Sequence, residues 1–330
     1  MSDKRREFIA LVGGASAWTL RARAQQATVP VIGVLVATPP SSPILSRIAT
    51  FRQALKETGY AEGQVAIEIR WADGQYDRLP ALAADLVHAK PDVIVTLGGT
   101  ATALAAKAAT KTIPIVFMIG TDPVEAGLVA GFGRPGGNIT GTTSISMFGG
   151  KHRELLFEMV PAAASRVGLL VNPANPLAES LVKANSAQLG SRLIVVNART
   201  ESEFEPAFTI LVQQGARGLI IWEEPFLNSR GDRLAALATR YAIPAIHSVR
   251  DFALAGGLMS YGINPVELYH QIGVYTGRIL KGENPADLPV LRPTKVELVI
   301  NLKTAKALDL TVPSPLLARA DKLIEQRRPR

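Results

Sequence analysis

The 330-residue chain contains no cysteine. Disulfide scaffolds, thiolate metal sites, cysteine nucleophiles and thioether-linked lipid anchors are therefore excluded. It has four histidines, His88, His152, His247 and His270, with no close pair among them. No histidine-built metal site is expected, and each reads as a surface or helix residue. No interior stretch reaches the ~18 apolar residues of a membrane span. Lys plus Arg number 36 against 28 Asp plus Glu, but this excess lies largely at the two ends. Arg327, Arg328 and Arg330 close the chain, and no interior basic run interleaves with aromatics. No nucleic-acid partner is expected.

Catalytic signatures are missing too. After the apolar run Val31–Val36 comes Ala37-Thr38-Pro39-Pro40-Ser41-Ser42 rather than Gly-x-Gly-x-x-Gly, which argues against a dinucleotide enzyme. No Gly-x-Ser-x-Gly elbow occurs, and no Gly-Lys-Ser/Thr follows Gly98-Gly99. The reading is of no enzyme, no cofactor and no metal.

What is present begins with a leader. Lys4-Arg5-Arg6 precede the apolar stretch Phe8–Leu20 and a small-x-small site, Ala22-Arg23-Ala24. That anatomy predicts a signal peptide over residues 1–24, cleaved after Ala24. The pair Arg5 and Arg6, followed by Glu7-Phe8-Ile9, matches the twin-arginine export signal. The expected product is a soluble periplasmic monomer.

From Val29 onward, β-branched runs alternate with helical segments. Strands are predicted at Val31–Val36, Val65–Trp71, Asp92–Leu97 and Ile113–Ile119. Helices are predicted at Ile44–Thr58, Leu79–His88 and Ala101–Ala109. Such alternation predicts a parallel sheet covered on both faces. The pattern restarts at Val167–Val171, and Leu219–Ser248 repeats the strand–helix–Ile-Pro–strand order of Asp92–Asp122. The tail adds strands Gly257–Ile263 and Val296–Asn301 and helices Val266–Leu280 and Pro315–Gln326. The fold class is α/β, with two doubly wound parallel-sheet lobes joined by a three-crossing hinge. Lobe one is expected to hold residues 25–145 plus 257–289, and lobe two residues 146–256 plus 290–330.

Several stretches resemble the ABC-transporter substrate-binding family of the tryptophan/tyrosine transport type. They are Asp122-Pro123-Val124, Ala126–Val129, Pro135–Gly141, Gly256–Gly262, Ile279–Gly282, Asp287-Leu288-Pro289 and Asn301–Ala305. The resemblance spans nearly all of residues 1–326. One departure is Asp309, where that family usually carries glycine. The resemblance implies a fold like that of type I periplasmic-binding proteins, a small-molecule ligand held between the lobes and an ABC permease as partner.

Ligands of open parallel sheets bind outside the carboxyl ends of the strands. In lobe one this singles out Thr38, Ser41, Ser42, Gly99, Thr100, Ala101, Thr121 and Asp122. In lobe two it singles out Asn172, Asn175, Trp222 and Glu223, with Tyr261 near a crossing. The turn Gly98–Thr102 opens a helix, and its free N–H groups suit a carboxylate. Thr100 reads equally as a helix cap. Asp122 before Pro123 reads both as a helix cap and as an acceptor for a ligand ammonium. Asn172 and Asn175 suit a turn and also a polar ligand. Trp222 and Tyr261 offer faces for a planar group. The expected ligand is a small carboxylate-bearing molecule, an aromatic amino acid or related acid. A branched-chain amino acid or a nucleoside fits the same loops. Two alternative roles are a sensor feeding a regulator or receptor and an exported α/β enzyme.

Overall fold

The computed structural model of the protein describes residues 29–144, 148–293 and 295–325. The expected leader, with Arg5, Arg6 and the cleavage point after Ala24, lies outside the described residues. Lobe one is built on strands β1 (Val31–Val36), β2 (Ala66–Trp71), β3 (Val93–Leu97), β4 (Ile115–Ile119) and β5 (Ile139–Thr143). Helices α1 (Ser42–Glu57), α2 (Leu79–His88) and α3 (Thr100–Ala109) connect them. The sheet is parallel, in the order β2-β1-β3-β4-β5.

The chain then enters lobe two through α4 (Phe148–Met159) and continues through β6 (Val167–Val171), α5 (Ala178–Leu189), β7 (Leu193–Asn197) and α6 (Phe204–Gln213). Next come β8 (Leu219–Ile221), α7 (Pro225–Ser229), α8 (Gly231–Arg240), β9 (Ala245–His247), α9 (Arg250–Leu254) and β10 (Met259–Ile263). A long helix, α10 (Pro265–Leu280), returns to lobe one. The tail β11 (Val296–Asn301), α11 (Leu302–Ala307), α12 (Ser314–Arg319) and β12 (Lys322–Ile324) completes lobe two. Its seven strands run in the order β12-β11-β10-β9-β8-β6-β7. All pair in parallel except β10 with β11.

Strands buried on both faces explain the continuous apolar runs: every residue of β3 and β6 is buried. In lobe one, α1 turns Ile44, Ile48, Phe51 and Leu55 onto one face of the sheet, against Ile272 and Ile279 of α10. The two helices pack closely because α10 carries Gly273 and Gly277 at the contact. A Cβ on Gly273 would lie 2.6 Å from the Phe51 carbonyl oxygen. Asn264 caps α10 by accepting from the Val266 N–H, with Pro265 at its first turn.

Among the described residues the chain passes between the sheets three times: after Thr143, between Ile263 and Pro265, and between Leu291 and Val296. The second passage differs from the expected one. Residues 257–263 were expected in lobe one, yet β10 pairs with β9 and β11 in lobe two. The physical reason is contact. Gly262 runs so close to the Ser248 carbonyl that a Cβ would sit 1.9 Å from its oxygen. The third passage follows Leu291, which bridges to Thr142, rather than Pro289. Three smaller departures accompany this. Strand β5 was not anticipated. The segment after Asp122, expected as a helix cap, forms a turn over residues 123–127 instead of a helix. The last helix stops at Arg319 and gives way to β12. Asp309, the residue set apart from the family pattern, ends the turn after α11 with φ +54, in the region that favours glycine.

Candidate functional site

The carboxyl ends of β3 and β4 face those of β6 and β8 across the gap between the lobes. On the lobe-one side, β3 ends at Gly98-Gly99. Gly99 adopts φ +77, and a Cβ on Gly98 would lie 2.6 Å from the Ala37 backbone nitrogen. This sharp turn starts α3 beside the gap with no side-chain cap, which leaves its first N–H groups without an intrahelical partner. Thr100 and Thr121 share a hydrogen bond between their hydroxyls of 2.7 Å, and Thr143 donates to the Thr121 carbonyl oxygen at 2.7 Å. The wall is thus rich in N–H and O–H groups, with the positive end of a helix behind it.

On the lobe-two side, β8 delivers Trp222-Glu223-Glu224-Pro225. Glu224 caps α7, accepting from the Leu227 N–H at 2.6 Å. It also accepts from the Tyr76 hydroxyl of lobe one at 2.8 Å and from Asn172 Nδ2 at 3.4 Å. Burial pushes its carboxyl above the usual range. Glu223 points into the gap instead. Its Oε1 accepts from the Ser144 hydroxyl at 3.2 Å, while its buried Oε2 has no protein partner. Burial pushes this carboxyl up to about 7. A further bridge between the lobes joins Arg47 to Asp251 at 2.7 Å.

These walls line two neighbouring spaces. The larger, about 340 Å³, lies between the α3 turn and lobe two. Trp222, Leu169 and Ile220 supply apolar surface, and α5 adds Leu181, Ala184 and Asn185. His152 closes one side, with Nε2 2.7 Å from the Tyr261 carbonyl oxygen. Burial pushes its imidazole down to about 4, so it stays neutral near pH 7. The smaller space, about 120 Å³, shares Gly99, Gly120, Glu223 and Pro225 with the larger.

Of the residues singled out from sequence, the larger space brings together Gly99, Thr100, Thr121, Asn175, Trp222 and Glu223. Thr38 lines the smaller one. The others lie elsewhere. Ser41 precedes α1, its carbonyl accepting from the Leu45 N–H. Ser42 opens α1, and its side chain lies outside the described set. Ala101 packs toward the apolar group of Leu35 and Leu79. Asp122 caps its own turn through the Val124 and Glu125 N–H groups. Asn172 is fully buried behind the cavity, accepting from the Ala174 N–H. Tyr261 reaches the site through its carbonyl on His152.

Sequence reasoning missed Tyr76, Arg47 and His152, while Glu224 lies in the strand-end loop Trp222–Glu224 that the strand-end rule points to. No group of three or more acidic or histidine side chains suited to a metal occurs among the described residues.

Two α/β lobes that close polar strand-end loops around a cavity define a two-lobed ligand-binding protein. A family model described as "ABC transporter substrate binding protein" matches residues 8–324, and the chain belongs to that family. The "Tyrosine-binding protein" of Clostridioides difficile is 30% identical over 266 residues, covering 79% of this chain and 75% of that protein. An ABC domain from Streptococcus pneumonia, solved in complex with L-Trp, superposes with a TM-score of 0.76 at 25% identity, over 89% of this chain and 99% of that one. The ligand-free, open structure of a substrate binding protein with adhesive properties from Clostridium difficile gives 0.59 at 26% identity, over 90% and 100%. The family and these neighbours are substrate-binding proteins, not enzymes. Membership implies a small-molecule ligand and a permease partner.

Proposed function

We propose that the exported protein captures an aromatic amino acid between its lobes and delivers it to an ABC permease, working as a periplasmic monomer. The observation that carries this reading is one juxtaposition. The open N-terminus of α3, with the Thr100 and Thr121 hydroxyls, lines the same cavity as the unpartnered Glu223 oxygen. A zwitterion matches that pair: its carboxylate meets N–H and O–H donors, and its ammonium meets Glu223. Trp222 and the apolar face of α5 accommodate a planar side chain.

Closure fits the same reading. Tyr76–Glu224 and Arg47–Asp251 tie the lobes together. The superposition is better on the L-Trp complex than on the ligand-free, open structure at nearly equal identity. Ligand would shift an open–closed equilibrium toward the form the permease recognises. The leader over residues 1–24 would bring the chain to the periplasm, and no helix among the described residues is long and apolar enough to cross a membrane.

A thermal-shift screen of the purified protein against amino acids, aromatic acids, nucleosides and sugars tests the proposal. Ligand at 100 times its Kd stabilises by about 2.7 kcal/mol. An L-aromatic amino acid is expected to give the largest shift. A response to sugars or nucleosides alone would overturn it.

A further inference from the structure

A groove of about 420 Å³ runs along the surface where the lobes meet, and it shares no residue with the larger cavity. Its lining includes Pro43 of lobe one and Asn228, Asp232, Asp251, Leu254 and Ala255 of lobe two. Two of these are acids, and no lysine or arginine lines the groove. Asp251 is the lobe-two end of the bridge to Arg47, yet its side chain stays 44% exposed. Asp232 is exposed and enters no ion pair among the described residues. Of the cations next to these acids in the chain, Arg230 pairs with Glu201 and Arg250 with Glu297, and Arg233 does not line the groove. Asn228 adds a buried Oδ1 with no hydrogen-bond partner. Exposed carboxylates beside an acceptor oxygen that lacks a donor suit an arginine guanidinium.

The chain carries such cations close by. Arg327, Arg328 and Arg330 follow Glu325, the last described residue, and the ligand site makes no use of them. Their starting point adjoins the groove. Ile324 of β12 pairs with Asn301 of β11, one strand spacing of about 4.8 Å away. Asn301 in turn donates from Nδ2 to the Ala253 carbonyl at 3.0 Å. Ala253 directly precedes Leu254 and Ala255 on the groove wall, and Asp251 lies two residues earlier in α9, a rise of about 3 Å. Arg328 stands three residues past Glu325 and Arg330 five, spans of up to ~11 and ~18 Å for an extended chain. Reach and charge therefore agree.

We propose that this groove takes the chain's own arginine segment, residues 326–330, as a strap laid over the lobe boundary beside the Arg47–Asp251 bridge. The guanidinium groups meet Asp232 and the exposed side of Asp251, and one donates to Asn228 Oδ1. Because Pro43 belongs to lobe one and the carboxylates to lobe two, the groove is whole only while the lobes are closed. A segment bound there favours closure without touching the ligand, and does so most at low ionic strength.

Because the chain has no cysteine, paired cysteines test this directly. One variant of the full chain carries Pro329→Cys with Leu254→Cys, and a control carries Pro329→Cys with Leu317→Cys on α12. Leu254 and Leu317 are both exposed, so neither replacement disturbs the core. Oxidation is followed by non-reducing electrophoresis. At low salt the Leu254 pair is expected to form its intramolecular disulfide about tenfold faster than the control, an advantage that two exposed ion pairs can supply. Reversing the segment with Arg327→Glu, Arg328→Glu and Arg330→Glu should remove that advantage. So should salt at about 1 M, where the screening length falls to about 3 Å. The same reversal in the cysteine-free chain should enlarge the ligand-free radius of gyration in X-ray scattering. Equal rates for the two pairs, an advantage that survives charge reversal, or a disulfide formed between two chains would overturn the proposal. An unchanged radius of gyration would overturn the strap's effect on closure.

Discussion

Replacing Glu223 by Gln should make the ligand-free protein more stable at alkaline pH and nearly abolish its binding. The carboxyl ionises near 4.5 in an unfolded chain and near 7 in the fold, because burial penalises its charge. Below about pH 4.5 both states hold the proton. As pH rises toward 7 the unfolded chain ionises first, so folding loses stability, by about 3 kcal/mol once both have ionised. Gln carries no charge, so at pH 8 the variant should melt several degrees above wild type, taking ~2–4 °C per kcal/mol for a chain of this size. At pH 4 the two should coincide. Ligand affinity should move the opposite way, because the ammonium loses its buried counter-charge. Such losses run at about 2–5 kcal/mol, or some thirtyfold to a few thousandfold in Kd. In the wild type, affinity should rise with pH up to about 7 as Glu223 gives up its proton. His152, pushed down to about 4, titrates only at the acid end of this range. Calorimetric melting and titration from pH 4 to 8 read both effects. A Kd within threefold of wild type at pH 8 would refute Glu223 as the ammonium acceptor. A melting difference independent of pH would refute the burial argument.

Tyr76→Phe removes the hydroxyl that joins lobe one to Glu224. It should weaken ligand binding by about 1–2 kcal/mol and enlarge the ligand-free radius of gyration in X-ray scattering; no change in either would show that the bridge does not favour closure. Asp309→Gly relieves a left-handed residue at φ +54. It should gain about 0.5–1 kcal/mol in urea unfolding and leave ligand affinity alone, and a loss of stability would contradict this. Lys at both Arg5 and Arg6 should abolish export in fractionated cells, whereas an undiminished periplasmic yield would refute the twin-arginine route.

Legibility in the sequence followed apolar composition rather than burial, since the fully buried β5 was not legible. Strands β1 and β6 have the residue limits expected of them because they are apolar runs, and β11 also has its expected limits. Strand β5, Ile-Thr-Gly-Thr-Thr, has no such run. Its buried polar side chains are satisfied by partners distant in sequence, as when Thr140 donates to the Leu288 carbonyl at 2.7 Å. Strand β10 was legible as a strand but not as a member of lobe two, since its place depends on Gly262 approaching Ser248. The strand-end rule reached Thr100, Thr121, Trp222 and Glu223. It did not reach Tyr76, which meets Glu224 from 148 positions away, or Arg47, which meets Asp251 from 204. Both lie outside the strand-end turns, and only lobe closure brings them together with their partners.

The central claim, that a zwitterion bridges the lobes between the α3 turn and Glu223, is tested most directly by a crystal structure of the protein grown with L-tyrosine. The ligand carboxylate oxygens should lie within hydrogen-bond distance of the Thr100 N–H or the Thr121 hydroxyl, and the ammonium on Glu223. A ligand bound in the reversed orientation, or lying outside the cavity between the lobes, would contradict it.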